Sequence, residues 1–174
     1  MKLLTLAVAT ALAFGTATSH AIFIVENFGG AGGGSGDVDN VLFDSNAPTT
    51  LLTAETNSGA SFVDFTSMGG LIQASASGQA DILGAGDNVP LMNLMFQLQN
   101  GETFTKAQFN PLGADDGMIT ISVDFLNSSG VLSNFTETYD LGDTGQNQFT
   151  VLGVVGDPGE AITKITPGFR RRLF

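Results

Sequence analysis

The sequence predicts an all-β chain that folds as an antiparallel β-sandwich of two sheets, of jelly-roll type, with about ten strands. Apolar and polar residues alternate with a period of two, most regularly from Ile119 to Phe125, and this alternation buries one face of a strand. Turns rich in Gly, Asn and Asp divide the chain at intervals of about ten residues, a spacing typical of sandwiches and barrels. No amphipathic pattern of helical length lies between these turns.

Each predicted strand is a short run of apolar and β-branched residues between two turns. One hairpin is well marked, because Asn127 to Gly130 forms a turn between the alternating run and a returning strand at 131–139. The run Leu91 to Phe96 is apolar enough for a helix, but Pro90 and the Asn-Gly pair at 100–101 favour a strand within a hairpin. The predicted strands cover 22–25, 38–43, 51–56, 61–66, 71–75, 79–83, 91–99, 103–109, 119–125, 131–139, 148–155 and 161–166.

The first residues predict a secretory signal peptide. Lys2 precedes an apolar run from Leu3 to Phe14, and the small residues Ser19 and Ala21 mark a cleavage site after Ala21. The run is shorter than the about 20 apolar residues that a membrane-spanning helix needs, so we expect a secreted protein, located extracellularly, at the cell surface or in the periplasm. The predicted divisions are the signal peptide at 1–21, an N-terminal strand and Gly-rich flexible segment at 22–37, the sandwich domain at 38–167 and a basic tail at 168–174.

Composition excludes several classes of function. Cysteine is absent, and the one histidine, His20, lies in the predicted signal peptide. The secreted chain would therefore lack Ser-His-Asp and Cys-His catalysis and metal sites built on thiolates or imidazoles. The formal net charge of −11 argues against nucleic acid and anionic membranes, since both are bound through basic residues. The Phe residues at alternating positions are interpreted as core, because each buried Phe stabilises a fold by about 1.5–3 kcal/mol.

Carboxylates are the remaining groups that could carry chemistry. A glycosidase needs two acids about 5–10 Å apart, and the local pairs are Asp115 with Asp116 and Asp140 with Asp143. Calcium needs only oxygen ligands, and aspartate is favoured in turns for conformational reasons alone. The calcium candidates in turns are Asp37, Asp39, Asp115, Asp116, Asp140 and Asp143. We expect no catalytic residue and no cofactor, and calcium stays open as a loop-bound ion.

Short strand and turn motifs run through nearly the whole predicted sandwich, including Asn40-Val41-Leu42-Phe43, Val63-Asp64-Phe65-Thr66, Ser77-Gly78-Gln79-Ala80-Asp81-Ile82 and Gly145-Gln146-Asn147-Gln148-Phe149-Thr150-Val151. Together they resemble secreted bacterial β-sandwich proteins of the PEP-CTERM-sorted type. The resemblance implies an extracellular or surface-matrix protein without assigned catalytic residues. The C-terminus departs from it, because Pro167-Gly168-Phe169 runs directly into Arg170-Arg171-Arg172 without the sorting tail. We therefore expect 168–174 to be a shortened or out-of-frame end that leaves the last sheet edge incomplete.

These observations predict an exported, non-enzymatic β-sandwich protein of the extracellular space or the surface matrix. The alternative is a module for carbohydrate binding or calcium-dependent adhesion, and a carboxylate glycosidase is a third hypothesis. The expected partners are the extracellular matrix or a polysaccharide, with no nucleic acid and no membrane span in the mature chain.

Overall fold

The structure, a computed structural model, describes residues 23–29, 39–78, 81–86, 91, 93–109, 117–127, 129–141, 147–153 and 161–171. The predicted signal peptide and the glycine tract after Gly29 lie outside them. Within these ranges no helix is long and apolar enough to cross a bilayer. The described residues form a 3-10 turn at Gln99–Gly101 and twelve strands: β1 (Phe23–Gly29), β2 (Val41–Phe43), β3 (Leu51–Thr56), β4 (Phe62–Ser67), β5 (Ile72–Ala74), β6 (Ile82–Gly84), β7 (Leu94–Leu98), β8 (Lys106–Phe109), β9 (Gly117–Leu126), β10 (Leu132–Asp140), β11 (Asn147–Gly153) and β12 (Ala161–Arg171).

The strands assemble into three antiparallel sheets. The largest has seven strands in the order β10-β9-β12-β7-β4-β3-β2, and a second has the order β1-β11-β8. β5 and β6 form a short ribbon. Ile72 of this ribbon exchanges backbone hydrogen bonds with Thr49, which lies between β2 and β3. The prediction of an all-β chain is therefore confirmed.

Period-two alternation predicted β9 well, and the strand predicted to return from it is β10. β9 alternates buried and half-buried residues along its whole length, because Ile119, Ile121, Val123 and Phe125 all face the core. β10 returns beside it with Leu132 opposite Leu126. The turn between them is held by the Asn127 side chain, whose Oδ1 accepts the backbone N–H of Ser129 (3.0 Å) and of Val131 (2.9 Å). The predicted hairpin is confirmed.

The hairpin predicted around Asn100-Gly101 is wrong. β7 pairs with β4 and β12, whereas β8 belongs to the three-stranded sheet. The turn itself forms, with φ values of 58° at Asn100 and 73° at Gly101. The chain leaving it bridges Ile162 through Phe104 and then enters the other sheet. A local turn signal could not reveal this, since the neighbour of β7 comes from a distant part of the chain.

β12 extends beyond its predicted end at Thr166 as far as Arg171. Residues 168–171, which the sequence analysis placed in a basic tail, pair with β9. β7 pairs with the other edge of β12, where Phe96 lies opposite Ile165. β12 therefore lies inside the seven-stranded sheet, between β9 and β7.

A β-bulge in β12 allows both of its isoleucines to face the core. The pairing with β9 shifts between Ile162 and Lys164, which leaves Thr163 as the extra residue. Ile162 and Ile165 are both 0% exposed, although residues three apart on a regular strand point to opposite faces. The Thr163 hydroxyl donates to the backbone carbonyl of Asp124 at 3.0 Å, so the extra residue is tied back to the sheet.

A continuous chain of aromatic rings runs through the core. Successive centroids are 5.5 to 5.9 Å apart in the order Phe43, Phe65, Phe96, Phe109, Phe149 and Tyr139. The chain passes from the seven-stranded to the three-stranded sheet between Phe96 and Phe109, and it returns between Phe149 and Tyr139. Tyr139 Oη donates to Glu137 at 2.7 Å, and burial, together with this carboxylate, raises the pKa of the phenol. The core of one face of the large sheet is thus shared with the small one.

Candidate functional site

The face of the seven-stranded sheet turned away from this core is polar, and we call it the outer face. The opposite, inner face carries the core residues Phe65, Phe96, Val123 and Ile165. Because successive side chains of a strand point to opposite faces, the residues next to them point to the outer face. These neighbours on the outer face are Asp64, Gln97, Asp124 and Lys164, and the register adds Thr53 on β3 and Asn134 on β10.

An open groove of about 370 Å³ lies on the outer face where β7 ends. Its walls come from β4, β7, the turn after β7 and the bulge of β12. We call it the Asp64 groove, and its lining residues are Asp64, Gln97, Leu98, Gln99, Asn100, Gly101, Glu102 and Thr163. Two carboxylates and three amides therefore face one cavity, which gives it both hydrogen-bond acceptors and donors.

Hydrogen bonds fix the turn of the groove against the sheet. Gln99 Nε2 donates to Asp64 Oδ1 at 2.8 Å, and the same oxygen accepts from Thr53 Oγ1 at 2.7 Å. Glu102 Oε2 accepts from Ser61 Oγ at 2.8 Å. Both ends of the turn are thus bound to β4 or to the residue before it, so the groove is preformed.

Phe62 does not line the groove, but it lies close to it on β4, and the residue is 44% exposed. It is two residues before Asp64 on β4 and so points to the same face. It also follows Ser61, which holds Glu102. The interpretation of the alternating Phe residues as core is wrong at this position, where an aromatic ring stands beside polar groups.

Lys164 and Asp124 continue the polar surface beyond the groove. Lys164 Nζ lies 2.5 Å from Asp124 Oδ2, and Asn134 Nδ2 donates to Asp124 Oδ1 at 2.5 Å. Burial alone would raise the pKa of Asp124, but the hydrogen bonds from Lys164 and Asn134 outweigh it and hold the pKa below its usual value. With side-chain exposures of 34% for Lys164 and 22% for Asp124, the ion pair is partly shielded from solvent.

This ion pair predicts a loss of stability in acid. Since the pKa of Asp124 is lowered by folding, its contribution is complete above the unfolded value of about 3.9 and disappears as pH falls through the folded value. We expect Lys164→Met to cost about 1 kcal/mol near pH 7, as for partly exposed pairs, and less towards pH 3. Urea unfolding of both proteins across this range measures the difference, and Asp124→Asn is the control that cannot titrate. A cost for Lys164→Met that does not change with pH would contradict the assignment.

Hydroxyl groups cover the part of the outer face on β9 and β10. Thr120 and Thr138 are joined at 2.9 Å, and Ser122 and Thr136 at 3.0 Å, each pair through its side-chain oxygens. Such cross-strand pairs stabilise a sheet modestly. They also leave a flat surface of hydroxyl and amide groups next to the ion pair.

The arrangement suits binding of a polar molecule. The side-chain amides of Gln97 and Asn100 make no hydrogen bond to other described residues, so they are available to a ligand. No family model, curated protein or solved structure matches this chain.

The calcium candidates do not assemble in the described part of the chain. Asp39 lies beside the β3–β4 turn, where its carboxylate accepts the backbone N–H of Ser58 (3.2 Å) and the Ser58 hydroxyl. The side-chain hydrogen bond from Ser58 is the main cause of its lowered pKa. Asp140 ends β10 opposite Met118. No group of three or more acidic residues suited to a metal occurs among the residues that the structure describes, and the candidates outside them are Asp37, Asp115, Asp116 and Asp143.

Neither groove carboxylate was among the candidate residues predicted from the sequence. Asp64 alternates with Val63 and Phe65, so its sequence pattern matches any solvated strand residue. Glu102 directly follows the Asn-Gly turn. The pairing of β4 with β7 brings them to one place, and the only local signal was an acidic residue beside a turn that requires positive φ.

Proposed function

We propose that this protein is an exported, non-enzymatic β-sandwich of jelly-roll type that acts outside the cell and binds polysaccharide through the Asp64 groove. The exported location is supported by the N-terminal signal pattern and by the resemblance to PEP-CTERM-sorted proteins. The sandwich is supported by the aromatic chain shared between the seven-stranded and three-stranded sheets. Association with the surface matrix follows if the polysaccharide belongs to that matrix.

The observation that carries the binding role is the exposed ring of Phe62 beside the polar groove. Flat aromatic rings stack on the apolar faces of sugars, while amides and carboxylates bind their hydroxyls. A binding site with a few convergent polar groups and an apolar surface is the usual form of a small-ligand site. Asp64 and Glu102 each accept hydrogen bonds from neutral groups, which is the kind of contact that sugar hydroxyls make.

Affinity electrophoresis tests the proposal. Native gels that contain hydroxyethylcellulose, dextran or galactomannan should retard the purified protein relative to a gel without polymer. Phe62→Ala and Asp64→Ala should each weaken binding about tenfold, as expected when a central contact worth about 1.4 kcal/mol is lost.

Met68→Ala is the matched control, because Met68 is 64% exposed and follows β4 at the end away from the groove, where its backbone N–H donates to Asn93 just before β7 begins. Its retardation should equal that of the unchanged protein. Equal mobility of the unchanged protein with and without every polymer would refute polysaccharide binding. Equal retardation of all variants would refute the groove as its site.

A further inference from the structure

Five polar side chains form a straight row across the outer face, starting in the Asp64 groove. Asp64 is opposite Gln97, Lys164 is opposite Asp124, and Asp124 is opposite Asn134. The pairing of Ile165 with Phe96 places Lys164 beside Gln97. We call this the polar row, and it crosses the adjacent strands β4, β7, β12, β9 and β10.

The row has a regular spacing. Neighbouring strands lie about 4.7–4.9 Å apart, so its members repeat at that interval and the row spans roughly 19 Å. One interval is close to the length of one pyranose unit in an extended chain. The row runs perpendicular to the strands, so a linear glycan that entered the groove could continue over it with about one sugar for each strand.

We infer that the polar row is the path of a neutral, linear glycan that extends from the Asp64 groove to β10. This rests on the proposed function and adds the direction, length and charge class of the ligand. Phe62 and the groove amides would hold one end of the chain. Asn134, at the far end of the row and exposed, would contact about the fifth sugar.

The charges of the row favour an uncharged ligand. Lys164 is the one cation in it, and Asp124 already neutralises this charge at 2.5 Å. Asp64 remains as an uncompensated carboxylate in the row, with Glu102 beside it in the groove. The chain as a whole carries a formal charge of −11. Uronic acid or sulfated polymers are therefore repelled, whereas neutral hydroxyls can donate to carboxylates and amide oxygens, which keep lone pairs for further hydrogen bonds.

The test uses the full protein and a length series. The neutral polymer that retards the protein is hydrolysed to oligosaccharides of two to six sugars, and calorimetry measures the affinity of each. Affinity should rise by about threefold to tenfold for each added sugar, as for one hydrogen bond, and level off near the fifth. Asn134→Ala should lose the gain for the longest oligosaccharides and leave the disaccharide unchanged.

Thr138→Ala is the control, since Thr138 lies on the same strand and face but outside the row. Urea unfolding shows whether each variant is folded. The path is wrong if affinity does not depend on oligosaccharide length, or if Asn134→Ala and Thr138→Ala have the same affinities. In either case, loss of binding in Phe62→Ala would still support the groove as the binding site. Retardation by alginate or chitosan alone would overturn the neutral class. Retardation by no polymer would overturn the proposed function itself.

Discussion

Replacing Phe149 by alanine should lower the free energy of unfolding by about 3–5 kcal/mol. Phe149 is 0% exposed and contacts the rings of Phe109 and Tyr139 at centroid distances of 5.9 and 5.5 Å. Alanine would leave a cavity at the point where the aromatic chain returns to the seven-stranded sheet. The loss is a large part of the about 5–15 kcal/mol that stabilises a typical domain. The midpoint of urea unfolding, monitored by far-UV circular dichroism, measures it.

Phe62→Ala is the matched control for this experiment, because it removes the same atoms from a ring that is 44% exposed. Its cost should stay within about 1 kcal/mol. The two variants also separate stability from binding, since only Phe62→Ala should weaken retardation by polysaccharide. A cost for Phe149→Ala no greater than that for Phe62→Ala would show that the two sheets do not share this core.

Insertion of one alanine between Lys164 and Ile165 should destabilise the protein by about 3–5 kcal/mol, as much as a large core truncation. The bulge at Thr163 supplies the one extra residue that keeps Ile162 and Ile165 on the same face, and a second extra residue displaces β12 on one side of it, which turns those side chains to the opposite face. One isoleucine would leave the core, or Lys164 would enter it. Thr163→Ala keeps the length of β12 and should cost about 0.5–1.5 kcal/mol, the value of its hydrogen bond to Asp124.

Urea unfolding of the insertion and of Thr163→Ala separates the effect of the strand register from that of the Thr163 side chain. Equal midpoints would mean that the register of β12 does not determine which isoleucines are buried. Near-UV circular dichroism adds a check on packing, because Tyr139 lies against Phe149 in the same core.

Strands were predictable wherever one face is buried and the other solvated. β9 shows this best, since its alternation follows directly from the hydrophobic effect acting on a pleated strand. The partner of each strand was harder to predict from the sequence. Asn100-Gly101 fixes a turn through its positive φ values, but a turn does not determine whether the chain returns to the same sheet. That choice depends on β12, which fills the place beside β7.

The groove could not be predicted for a similar reason. Its carboxylates Asp64 and Glu102 are brought together by the register of β4 with β7 and by the Ser61 hydrogen bond. Phe62 and the partly buried Phe65 both lie on β4, but they point to opposite faces of the strand. Period-two patterns identify the two faces of a strand, but they do not show which parts of a polar face converge with another strand.

The position of β12 has a consequence for how the chain reaches its folded state. In the seven-stranded sheet, β2, β3, β4 and β7 lie on one side of β12, and β9 and β10 lie on the other. Each group can pair from local contacts, and within this sheet the strand pairing of β12, residues 161–171, joins the two groups. During synthesis or export from the N-terminus, the edges of β7 and β9 therefore stay unpaired until β12 follows them. Such long-range closure slows folding, and the open edges are the segments on which another copy could pair wrongly in the meantime.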